Sequence, residues 1–279
     1  MRYFKARAAL LSSTLFAVCS AAHAQQHDMA TVHIYAAGSL RGVVRDLASE
    51  AASSFHIDVQ ASFGGSGSLR ERIEKGEHPD LLLSADLESP RKLERAGRTA
   101  LPVVAFARNR LCVVSRRETG ITPSNLIDVL LKPGMRVRTS TPVADPSGDY
   151  AWSLFDRIDR MRPGAGARLK KKAGAVMNAT ATPADPKQSA ATALFASRRI
   201  DVSITYCSAA AGLEREMPVL LSVPVPAALD PHPVYGAAVL SDSPAALKLA
   251  VFLLSDKGQA IIARNGLLPL LDPAAATQP

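Results

Sequence analysis

Two short loops hold the residues best suited to chemistry, Ala36-Ala37-Gly38-Ser39-Leu40 and Phe63-Gly64-Gly65-Ser66-Gly67-Ser68-Leu69. Each closes an apolar run of strand character and opens a run with helical spacing. A hydroxyl beside the unpaired N–H groups of a helix start is a ready anion site, because those donors have no partner inside the helix and the dipole favours negative charge. Taken singly, Ser39 and Ser66 read as ordinary helix caps. Taken as a pair at one sheet edge, they point to capture of a small oxyanion.

Hydrolysis is the competing chemistry. Gly64-Gly65-Ser66-Gly67-Ser68 approaches the G-x-S-x-G nucleophile elbow, but Ser68 stands where its last glycine belongs. No Gly-Lys-Ser/Thr follows to make a phosphate-binding P-loop. His33, His56, His78 and His232 show neither metal-ligand spacing nor triad order, and Cys112 and Cys207 lack histidine partners at zinc spacing. The expectation is therefore no enzyme, no cofactor and no bare metal cation. A secreted serine hydrolase or phosphatase is the alternative from another class, and turnover of a chromogenic ester would reveal it.

The elements that must position these loops follow from periodicity. Val32 to Ala37 reads as a buried strand, and Leu40, Val43, Val44, Leu47 and Ala51 as the apolar face of a helix capped by Ser39. Ile57, Val59, Ala61 and Phe63 alternate as a strand. Ser68-Leu69-Arg70-Glu71 has the form of a capping box, and Gly76 ends its helix. Asp80 to Asp86 is a third strand, with Pro90 near the start of the next helix. After a change of pattern between Val103 and Arg108, Leu111 to Val114 opens a second set. Ser124 caps a helix, Val137 to Ser140 is a short strand, and Asp145-Pro146-Ser147-Gly148 starts a helix carrying Tyr150, Ala151, Leu154, Phe155 and Ile158. Gln188 to Arg198 reads as helix, Ile200 to Tyr206, Val219 to Val225 and Val234 to Leu240 as strands, and Pro244 to Asn265 as helical. The stretch from Pro163 to Pro186 carries no clear pattern. Strand and helix alternation predicts an α/β fold of mostly parallel sheets, with ligands at the carboxyl ends of the strands.

The amino terminus reads as a signal peptide: Arg2, Lys5 and Arg7, an apolar stretch, then the small-x-small site Ala22-His23-Ala24. A mature chain beginning near Gln25 would be soluble and lie outside the cytoplasm, where Cys112 and Cys207 are free to pair or not. The formal charge of +8 falls once the leader is removed. No basic stripe interleaved with aromatics points to nucleic acid. Lys170-Lys171-Lys172 reads as a solvated face, and the leader and the missing DNA-binding helix pair oppose a transcription-regulator sensor domain. Asn178-Ala179-Thr180 matches a glycosylation acceptor. The predicted division is a leader over 1–24, one lobe over 31–105 with about 226–272, a second over 106–225, and a tail over 273–279, the chain crossing between lobes twice.

From about Val32 to Leu271 the order of motifs resembles the periplasmic molybdate/tungstate-binding proteins of ABC transporters. The markers are Ala36 to Leu40, the serine turn from Phe63 to Leu69, Pro79-Asp80-Leu81 with Ser84-Ala85-Asp86, the Asp145-Pro146-Ser147-Gly148 helix start with Tyr150-Ala151, and Ile204-Thr205-Tyr206. The resemblance implies the two-lobe type II periplasmic binding protein fold with a hinge, a monomer that encloses molybdate or tungstate, and delivery to a permease in the inner membrane. Carried over by position, the ligand residues are Ser39 and Ser66 from the first lobe, with Ser147 and Gln188 through main-chain N–H and Tyr206 through its hydroxyl from the second. The glycine-rich turn at 64–68, Ser147 and Asp149 depart from the family pattern and leave sulfate or another oxyanion as the alternative ligand. A site selecting phosphate would gain from a carboxylate, for which Asp149 is the candidate if it points inward; as an early helix residue it is expected to face solvent.

Overall fold

The computed structural model describes residues 29–270 apart from 178, 180–182 and 184–187, so the leader, the tail and the Asn178-to-Thr180 motif lie outside the described residues. The chain begins with β1 (Ala30–Ala37), a short 3₁₀ turn (Gly38–Leu40), α1 (Arg41–Phe55), β2 (Ile57–Gly64), α2 (Ser66–Glu74), β3 (Leu81–Ser84), α3 (Glu88–Arg95) and β4 (Val104–Arg108). A second set follows: β5 (Leu111–Arg116), α4 (Leu126–Leu131), β6 (Val137–Arg138), α5 (Pro146–Met161), α6 (Ala165–Val176), α7 (Ala190–Ala196), β7 (Val202–Tyr206), α8 (Cys207–Glu216) and β8 (Leu220–Pro224). The chain then returns through β9 (Val234–Val239) and ends in α9 (Pro244–Leu254) and α10 (Asp256–Arg264). It forms two sheets, β2-β1-β3-β9-β4 and β6-β7-β5-β8, one per lobe of a two-lobe α/β fold.

Both sheets are covered on both faces, which explains their continuous apolar strands. Leu81 and Leu83 of β3 join the core under α1, α9 and α10, while Leu82 between them packs with Leu69, Ile73 and Leu93 from α2 and α3. In the second sheet Val113, Val202 and Ile204 share the large core with Leu154, Phe155 and Ile158 of α5, whereas Cys112 and Val114 meet Leu194, Phe195, Ala210 and Leu213 of α7 and α8.

The sheets are mixed rather than mostly parallel. Pairs β1–β2, β1–β3 and β6–β7 run parallel, but β3–β9, β4–β9, β5–β7 and β5–β8 run antiparallel. The cause is the route of the chain. It passes to the second sheet between Arg108 and Leu111 and comes back between Pro224 and Val234. Strands β5 and β9 therefore start at the cleft, where β1, β2, β3, β7 and β8 finish.

Three helix starts differ from the sequence reading. Ser39 sits inside the 3₁₀ turn, with Ala37 preceding it as the cap residue and no side-chain cap. Ser68 lies within α2, which starts at Ser66 after Gly65, so no capping box forms. Asn125, not Ser124, precedes α4. In each case the hydroxyl has another partner: Tyr235 for Ser39, the Ala144 carbonyl for Ser68 and Thr122 for Ser124. The patternless stretch contains α6, and α8 follows β7 without a gap. Cys112 and Cys207, whose pairing the sequence left open, form a disulfide with Cα atoms 4.8 Å apart. Among the described residues no helix is long and apolar enough to cross a membrane.

Candidate functional site

The carboxyl ends of β1, β2 and β3 face those of β6 and β7 across a cavity of about 260 Å³. The first lobe lines it with Ala37, Gly38 and Ser39 at the end of β1, Gly64 and Gly65 at the end of β2, and Ala85 just past β3. The second lobe contributes Ser140, Asp145, Ser147, Thr205, Tyr206 and Ala209. Four helical segments thus begin at one hollow: the turn leading into α1, then α2, α5 and α8. Helix starts carry partly positive N–H groups, although in α5 Pro146 has none and those of Ser147 and Gly148 donate to Asp145.

Of the five residues expected to bind, the structure places Ser39, Ser147 and Tyr206 in the wall. The Ser39 hydroxyl lies 3.0 Å from that of Tyr235. Ser147 is almost fully buried, and its Oγ has no hydrogen-bond partner. Its N–H is not free as expected: it donates to Asp145 Oδ1 at 3.0 Å, the side-chain cap of α5. Tyr206 Oη donates to the Ala85 carbonyl at 3.4 Å, a long contact that leaves the hydroxyl weakly held. Ser66 is fully buried just behind Gly65, and its Oγ accepts from Ala85 N–H at 3.0 Å. Gln188 is half-buried ahead of α7 and outside the wall. There Ser189 caps α7 and its N–H donates to Glu216. Thr205 and Ala209, on either side of Tyr206 where β7 passes into α8, line the cavity, and Gln188 does not.

No lysine or arginine is among the lining residues, and Asp145 is their one carboxylate. Donors dominate. Burial, then the neighbouring Tyr235 and Asp145, pushes the Tyr206 hydroxyl well above its ordinary value, so it stays protonated and able to donate. Burial likewise pushes Tyr150 up to about 12. These two tyrosines and Tyr235 stack edge to tilted, with centroids 6.3 and 5.6 Å apart, behind the cavity.

The two rims of the cleft touch at glycine. Ser68 N–H donates to the Ala144 carbonyl at 3.2 Å. A Cβ on Gly65 would stand 2.2 Å from the Ala144 oxygen, and one on Gly67 1.8 Å from the Val143 oxygen. Only residues without a Cβ allow backbone to approach backbone so closely. Val143 itself adopts a left-handed backbone (φ 69°), costly for a branched side chain. Asp149 holds that turn: it is exposed, as expected, but its Oδ1 accepts the Val143 N–H at 2.9 Å. Burial, offset by that N–H, raises its carboxyl above the ordinary range.

The sequence reading missed Asp145 as a wall residue, Asn109, and Tyr235. Asp145 had a signal, since a carboxylate two residues before Ser147 at a helix start is a capping position. Tyr235 had none, as it reaches Ser39 across 196 positions.

Comparison with known proteins agrees with this geometry. A family model described as bacterial extracellular solute-binding protein matches residues 32–268. An uncharacterized protein of Pasteurella multocida is 36% identical over 180 residues, covering 63% of this chain and 74% of that protein. The periplasmic molybdate-binding protein of Azotobacter vinelandii is 20% identical, with a TM-score of 0.66 over 86% of this chain and 100% of its own. The sulfate-binding protein SubI from Mycobacterium tuberculosis is 22% identical, with a TM-score of 0.68 over 88% of this chain and 89% of its own. At these identities the solved structures show the fold.

Proposed function

The chain belongs to the bacterial extracellular solute-binding protein family, and from that premise we propose that it captures a tetrahedral oxyanion, molybdate or tungstate first, between its lobes and delivers it to an ABC permease in the inner membrane. The observation that carries this reading is a cavity where four helical segments begin, lined by hydroxyls and main-chain N–H groups and by no cation. A dianion without protons needs donors alone, and hydrogen bonds to a charged partner are roughly twice as strong as neutral ones. Ser39, Ser147 and Tyr206 bind directly. Ser66 supports the loop that presents Gly65, its Oγ accepting from Ala85 N–H. The leader at 1–24 would direct the protein to the periplasm, where a monomer could meet its permease.

One observation favours a second ligand class. Asp145 brings a carboxylate acceptor into the wall, which suits an oxyanion that keeps a proton, such as phosphate. Calorimetric titration with molybdate, tungstate, sulfate and phosphate separates the two. Molybdate or tungstate tightest supports the first reading, and phosphate tightest supports the second. Silence toward all four, or hydrolysis of a chromogenic phosphate or carboxylate ester, defeats both.

A further inference from the structure

The cavity's first hydroxyl is tied to a short chain of hydrogen bonds through both crossings between the lobes. Asn109 lies in the first crossing, between β4 and β5, and Tyr235 at the start of β9, just after the second. Arg110 N–H donates to Asn109 Oδ1 at 2.9 Å, which fixes which end of the amide is which. Asn109 Nδ2 therefore faces the other way as a pure donor, 3.0 Å from Tyr235 Oη and 2.8 Å from Ser208 Oγ at the start of α8.

Tyr235 is fully buried, its ring edge-on to Phe106 at 6.2 Å. Its hydroxyl has two partners among the described residues, Asn109 Nδ2 and Ser39 Oγ. The first can only donate. A buried hydroxyl proton left without an acceptor is costly, so the Tyr235 proton goes to Ser39. The Ser39 oxygen is then an acceptor toward the protein, and its own proton is left for the cavity it lines.

We propose that Asn109 and Tyr235 are positioning residues that orient the Ser39 hydroxyl as a fixed donor toward the ligand oxygen facing it. The inference rests on the oxyanion reading above and adds direction to it. Molybdate and sulfate present bare oxygens on every side, and each can accept from that donor. Because the chain of bonds runs through both crossings and reaches α8, the orientation also depends on the relative placement of the two lobes.

The test is a double-mutant cycle read by calorimetry with molybdate. Tyr235→Phe keeps the ring and removes the hydroxyl, freeing Ser39 to turn its proton away from the ligand. Molybdate affinity is expected to fall by about tenfold, the worth of one hydrogen bond to a charged group. Added to Ser39→Ala, Tyr235→Phe should change molybdate affinity no further. If Tyr235→Phe fails to give a native circular-dichroism spectrum, Asn109→Ala is measured in its place with the same expectations. Losses that multiply independently with Ser39→Ala overturn the proposal and assign these residues a structural role. Absence of anion binding by the unmodified protein overturns the oxyanion reading instead.

Discussion

Substitution of Gly67 by alanine is the sharpest perturbation the fold offers. The new Cβ would stand 1.8 Å from the Val143 oxygen, 2.9 Å from the Val143 carbonyl carbon and 3.3 Å from that of Ala144. All three are backbone atoms, so no rotamer relieves the clash. A carbon rests about 3.3 Å or more from a carbonyl oxygen, so the rims must part by about 1.5 Å. That separation breaks the 3.2 Å bond from Ser68 N–H to Ala144, since geometry weakens steeply beyond hydrogen-bond range. An anion held from the first lobe would lose second-lobe donors by the same displacement. Two charge-assisted bonds at about 1.5–3 kcal/mol each come to roughly 3–6 kcal/mol, a hundredfold to ten-thousandfold in affinity on the scale of about 1.4 kcal/mol per tenfold. Stability without ligand should change little, because loss of the Ser68–Ala144 bond, about 0.5–1.5 kcal/mol, is offset by helix propensity. Gly67 is the second residue of α2, where alanine is favoured over glycine by up to about 1 kcal/mol. The assay pairs calorimetric affinity with melting of the unliganded protein. Gly174→Ala is the control, because nothing lies within 4 Å of its added Cβ in α6. Affinity of Gly67→Ala within threefold of the unmodified protein would refute the reasoning, showing that the Val143 turn shifts without consequence for the ligand.

Three further outcomes follow from other parts of the molecule. Ser39→Ala should weaken binding by about 1–3 kcal/mol, the cost of one bond to a charged group, and shrink the ligand-induced thermal shift; an unchanged shift would remove Ser39 from the site. Reduction of the Cys112–Cys207 disulfide, which spans 95 positions, should lower stability by up to about 4–5 kcal/mol through the freer unfolded chain, and superimposable melts with and without reductant would contradict this. Hydrogen bonds from Arg72, and then from Tyr35, hold the Glu77 carboxyl at about 2 against an ordinary 4.5. A depressed carboxylate contributes its stability above the unfolded value and loses it as pH falls through the folded one. Acid melting between about pH 4.5 and about pH 2 should therefore be less steep in Glu77→Gln, and identical slopes would show that this cluster does not titrate with folding.

How much of this was legible in the sequence depends on whether the deciding interaction was local. The strand-to-helix corners at Ser39 and Ser66 were readable because glycine, hydroxyl and periodicity lie within a few residues. The mixed sheets were not, because strand direction at β9 comes from a crossing between lobes rather than from any residue in the strand. Serines at 39, 68 and 124 looked like caps by their spacing, but distant or loop partners captured their hydroxyls. Alanine- and glycine-rich α6 carries too thin an apolar stripe to announce itself, with Ala165, Gly166, Leu169 and Ala173 as its buried face. The glycines at 65 and 67 read only as a glycine-rich turn, and their use, close approach to Val143 and Ala144, needs a partner nearly eighty positions away. Tyr206 and Ser147 came from a resemblance and fall in the wall, while Gln188, carried across the poorly patterned stretch, does not.

The most direct measurement is a crystal structure grown with tungstate, whose heavy atom marks its own position by anomalous scattering. One strong peak is expected in the cleft, the tungstate oxygens within about 2.7–3.2 Å of Ser39 Oγ and of donors at the start of α5 or α8. A saturated crystal with that cleft empty, or with the peak seated elsewhere on the molecule, would contradict this.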